Sequence, residues 1–179
     1  MLDRAVALLE AWCDEIVVTA PPAHPLSVPH GARGVARRID DIPGAAGPIA
    51  GLVAGLQACP YERAVALAVD FPLMRPGSLK WLLERLPGRN AVLPAPDGVP
   101  QPLAAAYGPG AAEILGRKLS DGERSVVIAV RALDPLLIGD AELARLEGGL
   151  ESFLNVNAPE DRLRAEALLR AREPAREAS

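Results

Sequence analysis

The hydrophobic positions of this chain change repeatedly between a helical and a strand-like spacing. Residues 2–12 place Leu2, Leu9 and Trp12 on one side of a helix, and the apolar run that follows, residues 15–19, is typical of a buried strand. Residues 63–69 are almost uniformly small and apolar, so we predict a central parallel strand there. The chain therefore begins with a helix that leads into a strand.

The same two patterns alternate through the rest of the chain. Further strands are predicted at residues 34–39, 91–94, 103–107 and 135–138. Further helices are predicted at residues 49–57, 76–86, 111–119, 125–133, 141–146 and 159–172. This alternation of strands and helices predicts a layered α/β domain with a mostly parallel sheet.

Composition limits the classes of protein to which the chain can belong. Half of its 179 residues are hydrophobic and 23% are charged, which is typical of a globular domain. We assign residues 1–172 to a single domain and residues 173–179 to a C-terminal tail. The net charge of −4 disfavours nucleic acid and anionic membranes as partners. Two cysteines are too few for a disulfide scaffold, and no segment has the pattern of a signal peptide or a membrane span, so we expect a cytoplasmic protein.

Candidate site residues follow the predicted strands. In an open α/β sheet, ligands bind beyond the carboxyl ends of the strands. Asp70 ends the strand of residues 63–69, where it could hold Mg²⁺ against phosphate or, with equal weight, cap a turn. Asp40 and Asp41 follow the second strand, and because adjacent side chains on extended backbone point apart, at most one of them is expected to face a pocket. Asn155 and Asn157 precede the last helix.

A glycine-rich stretch precedes and enters one predicted helix. Gly47, Gly51 and Gly55 recur every four residues around a helix that begins at Pro48, so one face of that helix is nearly bare. Such a face allows a backbone or a flat ligand to approach closely. The stretch lacks the spacing of the common phosphate-binding loops, and a role in helix packing is an equal alternative.

Six short motifs, taken in order, carry a resemblance to a known family. They are Ile39-Asp-Asp41 with Pro43-Gly44, Gly47-Pro-Ile-Ala-Gly-Leu52, Val69-Asp-Phe-Pro72, Gln101-Pro-Leu103, Gly122-Glu-Arg-Ser125, and the run of residues 153–161 that contains Asn155 and Asn157. The chain resembles the molybdenum cofactor guanylyltransferases over nearly its whole length. The resemblance implies a Rossmann-like nucleotidyltransferase fold of three α/β/α layers, and transfer of GMP from GTP to molybdopterin.

The resemblance also implies roles for individual residues. Asp70 is expected to meet Mg²⁺ and GTP, and Asp40 or Asp41 the guanosine part. The distance to Pro43-Gly44 favours Asp40, whereas the I-x-D pattern favours Asp41, so both stay open. Thr19 stands where the family tends to have an asparagine near the nucleotide, and Gly47 begins the helix beside it.

A second set of residues is expected on the side where the family receives its pterin substrate. These residues are Gln101, Asn155 and Asn157. Amide side chains both donate and accept hydrogen bonds, which suits a heterocycle. The expected partners are the substrates GTP and molybdopterin, together with proteins that mature molybdenum enzymes.

One segment of the family pattern has no counterpart in this sequence. The family opens with a strand and a glycine-rich loop that wraps the triphosphate, and we expect such a segment to precede Leu2, with Met1 an internal or artificial start. In the family this opening strand is central, between the strands of residues 15–19 and 63–69. We therefore expect two strand edges to be left unpaired in this chain.

The missing loop leaves two other functions open. A non-catalytic relative would bind molybdopterin or a nucleotide without transferring anything. A sister nucleotidyltransferase would use CTP or a sugar phosphate on the same scaffold.

Overall fold

The computed structural model describes residues 1–29, 34–45, 47–156 and 159–172. Its α-helices are α1 (Leu2–Glu10), α2 (Pro48–Ala58), α3 (Pro76–Glu84), α4 (Ala111–Ser120), α5 (Val126–Ala129), α6 (Asp140–Leu143) and α7 (Pro159–Arg172). Its strands are β1 (Ile16–Ala20), β2 (Ala36–Asp40), β3 (Ala64–Leu67), β4 (Ala91–Pro94), β5 (Ala104–Tyr107) and β6 (Leu136–Ile138). Short 3-10 helices cover Pro96–Gly98, Val130–Leu133 and Gly149–Phe153.

Most element boundaries agree with the sequence patterns to within two or three residues, and the exceptions have local causes. The helix predicted at residues 125–133 divides into α5 and a 3-10 helix, with Ser125 as its N-cap: the Ile128 N–H donates to Ser125 Oγ at 3.3 Å. Asp40 was expected after β2, but it is the last residue of that strand.

The strands form two separate sheets. β1 and β2 pair in parallel, with Ile16 opposite Ala36 and Ala20 opposite Asp40. The other sheet has the order β3-β5-β4-β6, in which β5 is antiparallel to both of its neighbours and β4 is parallel to β6. Three of its four strands therefore run in the same direction, in agreement with the predicted α/β architecture.

β3 differs from the central parallel strand that its sequence predicts. It pairs with β5 in antiparallel register, Ala64 opposite Tyr107 and Leu67 opposite Ala104, and it lies at the edge of its sheet. A run of small apolar residues is needed wherever both faces of a strand are covered, whatever the direction of its partner. The composition of the run therefore does not determine the pairing of the strand.

A cleft separates the two sheets. β1 pairs only with β2, and β3 pairs only with β5, among the residues that the structure describes. The cleft between β1 and β3 has a volume of about 960 Å³ and is lined by residues of both strands and of the helices α1 and α2. The two unpaired strand edges that we expected are present, and they border the same space.

Helices cover both faces of the four-stranded sheet. Side chains of α2 and α4, among them Val53 and Leu115, pack on one face together with Leu93 of β4. Leu79 and Leu82 of α3 pack on the opposite face together with the neighbouring strand residues, such as Val92. Because successive strand residues point to opposite faces, this alternation produces three layers, α/β/α.

None of the helices in the described part of the chain is long and apolar enough to cross a bilayer.

Candidate functional site

Thr19, Asp41 and Gly51, which the sequence analysis singled out, lie together where the carboxyl ends of β1 and β2 meet α2. The Asp41 N–H donates to the Ala20 carbonyl at 2.9 Å, which places Asp41 next to the end of β1. A Cβ atom added to Gly51 would lie 2.9 Å from Thr19 Oγ1 and 3.1 Å from Asp41 Oδ1. Real Cβ atoms essentially never lie within 3.0 Å of another atom, so a larger residue at position 51 would force Thr19 to shift and would crowd Asp41, whereas glycine lets α2 lie against both side chains.

The start of α2 faces the same cleft. Gly47 precedes the helix with φ of 87°, a conformation that favours glycine, and Pro48 occupies the first helical position. Gly47, Gly51, Thr19 and Asp41 all line the cleft between the sheets. In this first turn Pro48 has no N–H and the Ala50 N–H donates to the Gly47 carbonyl at 3.1 Å, so the polar groups of the corner are chiefly the Thr19 hydroxyl and the Asp41 carboxylate.

Asp40 and Asp41 have different surroundings. Asp40 Oδ1 accepts a hydrogen bond from Arg38 Nη2 at 3.1 Å, and its side chain is 55% exposed. Asp41 Oδ1 is buried and has no hydrogen-bond partner among the described residues. Of the two alternatives that the sequence left open, the structure places Asp41 against the cleft and Asp40 outside it.

Burial raises the pKa of Asp41 above its ordinary value. The larger cause is loss of solvent around the carboxylate, and the second is repulsion by the negative charge of Asp40. A buried carboxylate of this kind gains from a ligand that donates hydrogen bonds to it.

Asp70 lies beyond β3. Its neighbour Val69 lines the cleft, whereas Asp70 is not among the residues that line it. Its Oδ1 atom is buried and has no hydrogen-bond partner among the described residues. The Asn155 side chain hydrogen-bonds to the Asp70 carboxylate, and the Val156 N–H donates to the Asp70 carbonyl at 2.9 Å. Burial raises the pKa of Asp70, and the hydrogen bonds from its backbone and from Asn155 oppose that shift.

Gln101 lies at the same end of the four-stranded sheet as Asp70. Its N–H donates to the Pro94 carbonyl at 2.8 Å, and its carbonyl accepts from the Ala104 N–H at 3.1 Å. Ala104 is the register partner of Leu67, the last residue of β3. Asp70, just beyond the end of β3, and Gln101, between the end of β4 and the start of β5, therefore lie at the same end of the sheet.

Two asparagines were expected on the same side as Gln101. Asn155 hydrogen-bonds to Asp70, and its Oδ1 atom is buried without a partner among the described residues. Asn157 lies outside the described residues.

The site contains few groups that could bind a metal. No cluster of three or more His, Cys, Asp or Glu side chains occurs within the ranges that the structure describes. A cation at Asp70 would therefore be held by one carboxylate, with other oxygen atoms coming from Asn155, a ligand or water. This is the environment in which Mg²⁺ is usually found, because it keeps waters and binds substrate phosphates.

Sequence reasoning missed Arg38. Its guanidinium contacts Asp40 and the carbonyls of four residues between Pro21 and Leu26. The available signal was an arginine two residues before an acidic pair in a strand, where both side chains point to the same side.

Comparison with known proteins assigns this arrangement to a family. Residues 1–135 match the family described as the MobA-like NTP transferase domain. The chain belongs to this family. It is 35% identical over 165 residues to a protein of Chloroflexus aggregans named "Probable molybdenum cofactor guanylyltransferase", covering 90% of this chain and 76% of that protein. The resemblance that the six sequence motifs indicated is thereby confirmed.

Solved structures confirm the nucleotidyltransferase fold of this MobA-like chain. The molybdopterin-guanine dinucleotide biosynthesis protein A of Archaeoglobus fulgidus is 31% identical, with a TM-score of 0.66 over 75% of this chain and 69% of that one. The 2-C-methyl-D-erythritol 4-phosphate cytidylyltransferase of Thermus thermophilus has a TM-score of 0.68 over 93% of this chain and 86% of that one. At 20% identity, the second likeness concerns the fold alone.

Proposed function

We propose that this chain transfers GMP from GTP to molybdenum-bound molybdopterin and releases pyrophosphate. The observation that carries the proposal is the unpartnered, buried Asp70 Oδ1 at the end of β3 in a member of the MobA-like family. Relatives that bear the name molybdenum cofactor guanylyltransferase support the choice of GTP and molybdopterin as substrates.

Asp70 is the residue that would hold Mg²⁺. A buried carboxylate oxygen without a hydrogen-bond donor suits a hard cation, which prefers oxygen ligands. The Asn155 amide hydrogen-bonds to the same carboxylate and limits its rotation, which leaves Oδ1 available. When bound, Mg²⁺ would neutralise negative charge on the phosphates of the substrate.

The reaction is an in-line displacement at phosphorus. An oxygen of the molybdopterin phosphate forms a bond to the α-phosphorus of GTP. The bond from that phosphorus to the oxygen that bridges to the β-phosphate breaks, and pyrophosphate leaves with the bridging oxygen. The chain's contribution is to hold the two substrates in line and to place charge beside the phosphates.

The nucleoside end of GTP is assigned to the corner between β1, β2 and α2. The Asp41 carboxylate can accept hydrogen bonds from a purine or a ribose, and the Thr19 hydroxyl can both donate and accept. Gly47 and Gly51 line the cleft beside them, and the absence of a side chain at Gly51 lets α2 lie directly against Thr19 and Asp41. Asp40 is left out of this subsite because it is paired with Arg38.

The pterin is assigned to the end of the four-stranded sheet at which Gln101 lies. The amide of Gln101 can donate to and accept from a pterin ring. Asn157 belongs to the same prediction from the family pattern. A cytoplasmic location and contacts with maturation proteins also stay predictions.

Pyrophosphate release with GTP, Mg²⁺ and molybdopterin tests the function, with CTP measured in parallel. The Asp70→Asn variant should lower kcat by about a hundredfold or more, because it removes the charge that holds the cation near the phosphates. Asp121→Asn, at the exposed end of α4, is the matched control and should leave kcat unchanged.

Three results would contradict the proposal. Full turnover by the Asp70→Asn variant would remove the metal assignment. Turnover with CTP in place of GTP would identify a sister cytidylyltransferase. Binding of molybdopterin without any release of pyrophosphate would identify a non-catalytic binding protein.

A further inference from the structure

The guanidinium group of Arg38 connects the loop of residues 21–29 to the end of β2. Arg38 Nη1 donates to the carbonyls of His24 at 2.9 Å and Leu26 at 3.3 Å. Arg38 Nη2 donates to the carbonyls of Pro21 at 3.2 Å and Pro22 at 3.4 Å, and to Asp40 Oδ1 at 3.1 Å. The Arg38 side chain is 27% exposed; its bond to the Leu26 carbonyl is partly buried, and its other four bonds are exposed to solvent.

The loop at residues 21–29 depends on this group for its position. Four of its nine residues are prolines, which have no N–H to donate. Two internal bonds shape it, from the His24 N–H to the Pro21 carbonyl at 2.9 Å and from the Leu26 N–H to the His24 carbonyl at 2.8 Å. Among the described residues, the donor that reaches its carbonyls from outside the loop is Arg38.

The loop borders the corner to which the nucleoside is assigned. Pro21 lines the cleft together with Thr19 and Asp41. The same guanidinium that holds Pro21 also holds Asp40, the neighbour of Asp41 in sequence. A displacement of Arg38 would therefore move one wall of the corner and release a second carboxylate beside it.

We propose that Arg38 is a positioning residue for nucleoside recognition. Its guanidinium holds the segment of residues 21–26 against the end of β2 and keeps the Asp40 carboxylate outside the corner, so that Thr19 and Asp41 meet the nucleoside in a fixed geometry. This inference rests on the proposed function for the assignment of the nucleoside to that corner. The four N–H bonds of Nη1 and Nη2 diverge in one plane and reach five oxygens, with one N–H of Nη2 shared between two of them, whereas the single ammonium of lysine has only three N–H bonds.

Hydrogen exchange of the free chain tests the structural half of the inference. In the variants Arg38→Ala and Arg38→Lys, the two hydrogen-bonded amides within residues 23–28, those of His24 and Leu26, should exchange faster than in the parent chain. Arg37→Ala is the matched control, because Arg37 lies next in the strand and donates instead to the Ala58 carbonyl at 2.9 Å. That control should leave exchange in residues 23–28 unchanged.

Calorimetric titration with GTP and Mg²⁺ tests the functional half. Both Arg38 variants should raise the Kd for GTP roughly tenfold, the equivalent of one or two lost hydrogen bonds. In turnover assays the effect should appear in KM for GTP, with kcat changed less than about twofold, since Arg38 does not touch the reacting atoms. Asp40→Ala keeps the four carbonyl contacts and should bind GTP nearly as well as the parent chain.

The outcomes separate this inference from the proposed function. Unchanged exchange in residues 23–28, or unchanged GTP binding in both Arg38 variants, overturns the role of Arg38 even if GTP turnover is as proposed. Weakening by Asp40→Ala equal to that by Arg38→Ala overturns it as well, because Asp40 itself would then contact the nucleotide. If Asp41→Asn leaves GTP binding intact, the nucleoside corner itself is wrong, and both the subsite and the inference fail.

Discussion

Asn155 is joined to Asp70 through its side chain, and the next residue, Val156, is joined to Asp70 through the backbone. The Asn155 amide hydrogen-bonds to the Asp70 carboxylate, and the Val156 N–H donates to the Asp70 carbonyl at 2.9 Å. The segment that precedes α7 is thereby attached to the end of β3, more than eighty residues earlier in the chain. Two distant sequence motifs of the family thus form one structural unit.

Removing the Asn155 amide should weaken cation binding. In the Asn155→Ala variant the Asp70 carboxylate loses a partner that orients it, and loss of such a partner commonly lowers metal affinity by about tenfold or more. Titration with Mn²⁺, followed by electron paramagnetic resonance in the presence of GTP, measures the change. Asn90→Ala is the control, because Asn90 precedes Ala91, which pairs with Tyr107 at the opposite end of the sheet. Equal affinity in both variants would mean that Asn155 does not orient Asp70.

A methyl group at Gly51 should damage the nucleoside corner. The added Cβ would lie 2.9 Å from Thr19 Oγ1 and 3.1 Å from Asp41 Oδ1, so α2 or both side chains must move. We expect the Gly51→Ala variant to unfold more readily by about 1–3 kcal/mol, the usual cost of overpacking, and to lose affinity for GTP. Chemical denaturation and calorimetric titration measure the two effects.

Gly116 provides the comparison for that helix substitution. A Cβ there meets the end of the Gln57 side chain at 3.3 Å, and this flexible group can move aside. Gly116→Ala should therefore stabilise the chain, by up to about 1 kcal/mol, through the better helix propensity of alanine. If Gly51→Ala is stabilising to the same extent, the close approach of α2 to Thr19 and Asp41 is wrong.

The Asp41 carboxylate should lower stability at neutral pH. Its pKa is raised in the folded chain, so the folded state binds the proton more tightly than the unfolded state does. Stability therefore falls as pH rises from the ordinary aspartate pKa of 3.8 through the raised pKa, and the full cost is present above that pKa. Asp41→Asn should raise the free energy of unfolding at pH 7, by less than about 1 kcal/mol because the side chain keeps part of its solvent contact.

The pH dependence of that variant is the decisive measurement. The gain in the free energy of unfolding should disappear below the ordinary pKa of an aspartate, where both chains carry an uncharged group at this position. The same substitution should weaken GTP binding at pH 7, because it removes the negative acceptor from the corner. A gain that grows as pH falls would have the wrong sign and would contradict the burial of Asp41.

The open edge of β3 should be visible in amide exchange. Successive backbone N–H groups along a strand point to opposite edges, and β3 pairs on one edge only. About half of the amides in residues 64–67 should therefore exchange quickly, while every amide of β5, which pairs with both β3 and β4, stays protected. Nuclear magnetic resonance resolves these amides one by one. Uniform protection along β3 would show that its edge toward the cleft is covered.

The order of the elements was predictable because it depends on local pattern. Apolar residues at helical spacing predict α1 and α4, and the run before Asp70 predicts β3, since each element must bury one face. The same logic placed the candidate residues at strand ends. The sequence marks only the spacing of Arg38 from Asp40, because its other four partners are carbonyl groups of a proline-rich loop, which no side-chain pattern marks.

From the sequence alone, the family, the α/β architecture and the set of candidate acidic and amide residues could be recognised, since these depend on periodicity and on short motifs in order. The tertiary structure decided which neighbours each strand has, that Asp41 and not Asp40 faces the cleft, and that Asn155 belongs with Asp70. Some of these relationships join residues that are far apart in the chain, and others depend on the direction in which a carboxylate side chain points from its strand. Contacts and side-chain directions of this kind are set by packing between elements, which a linear pattern of residues does not specify.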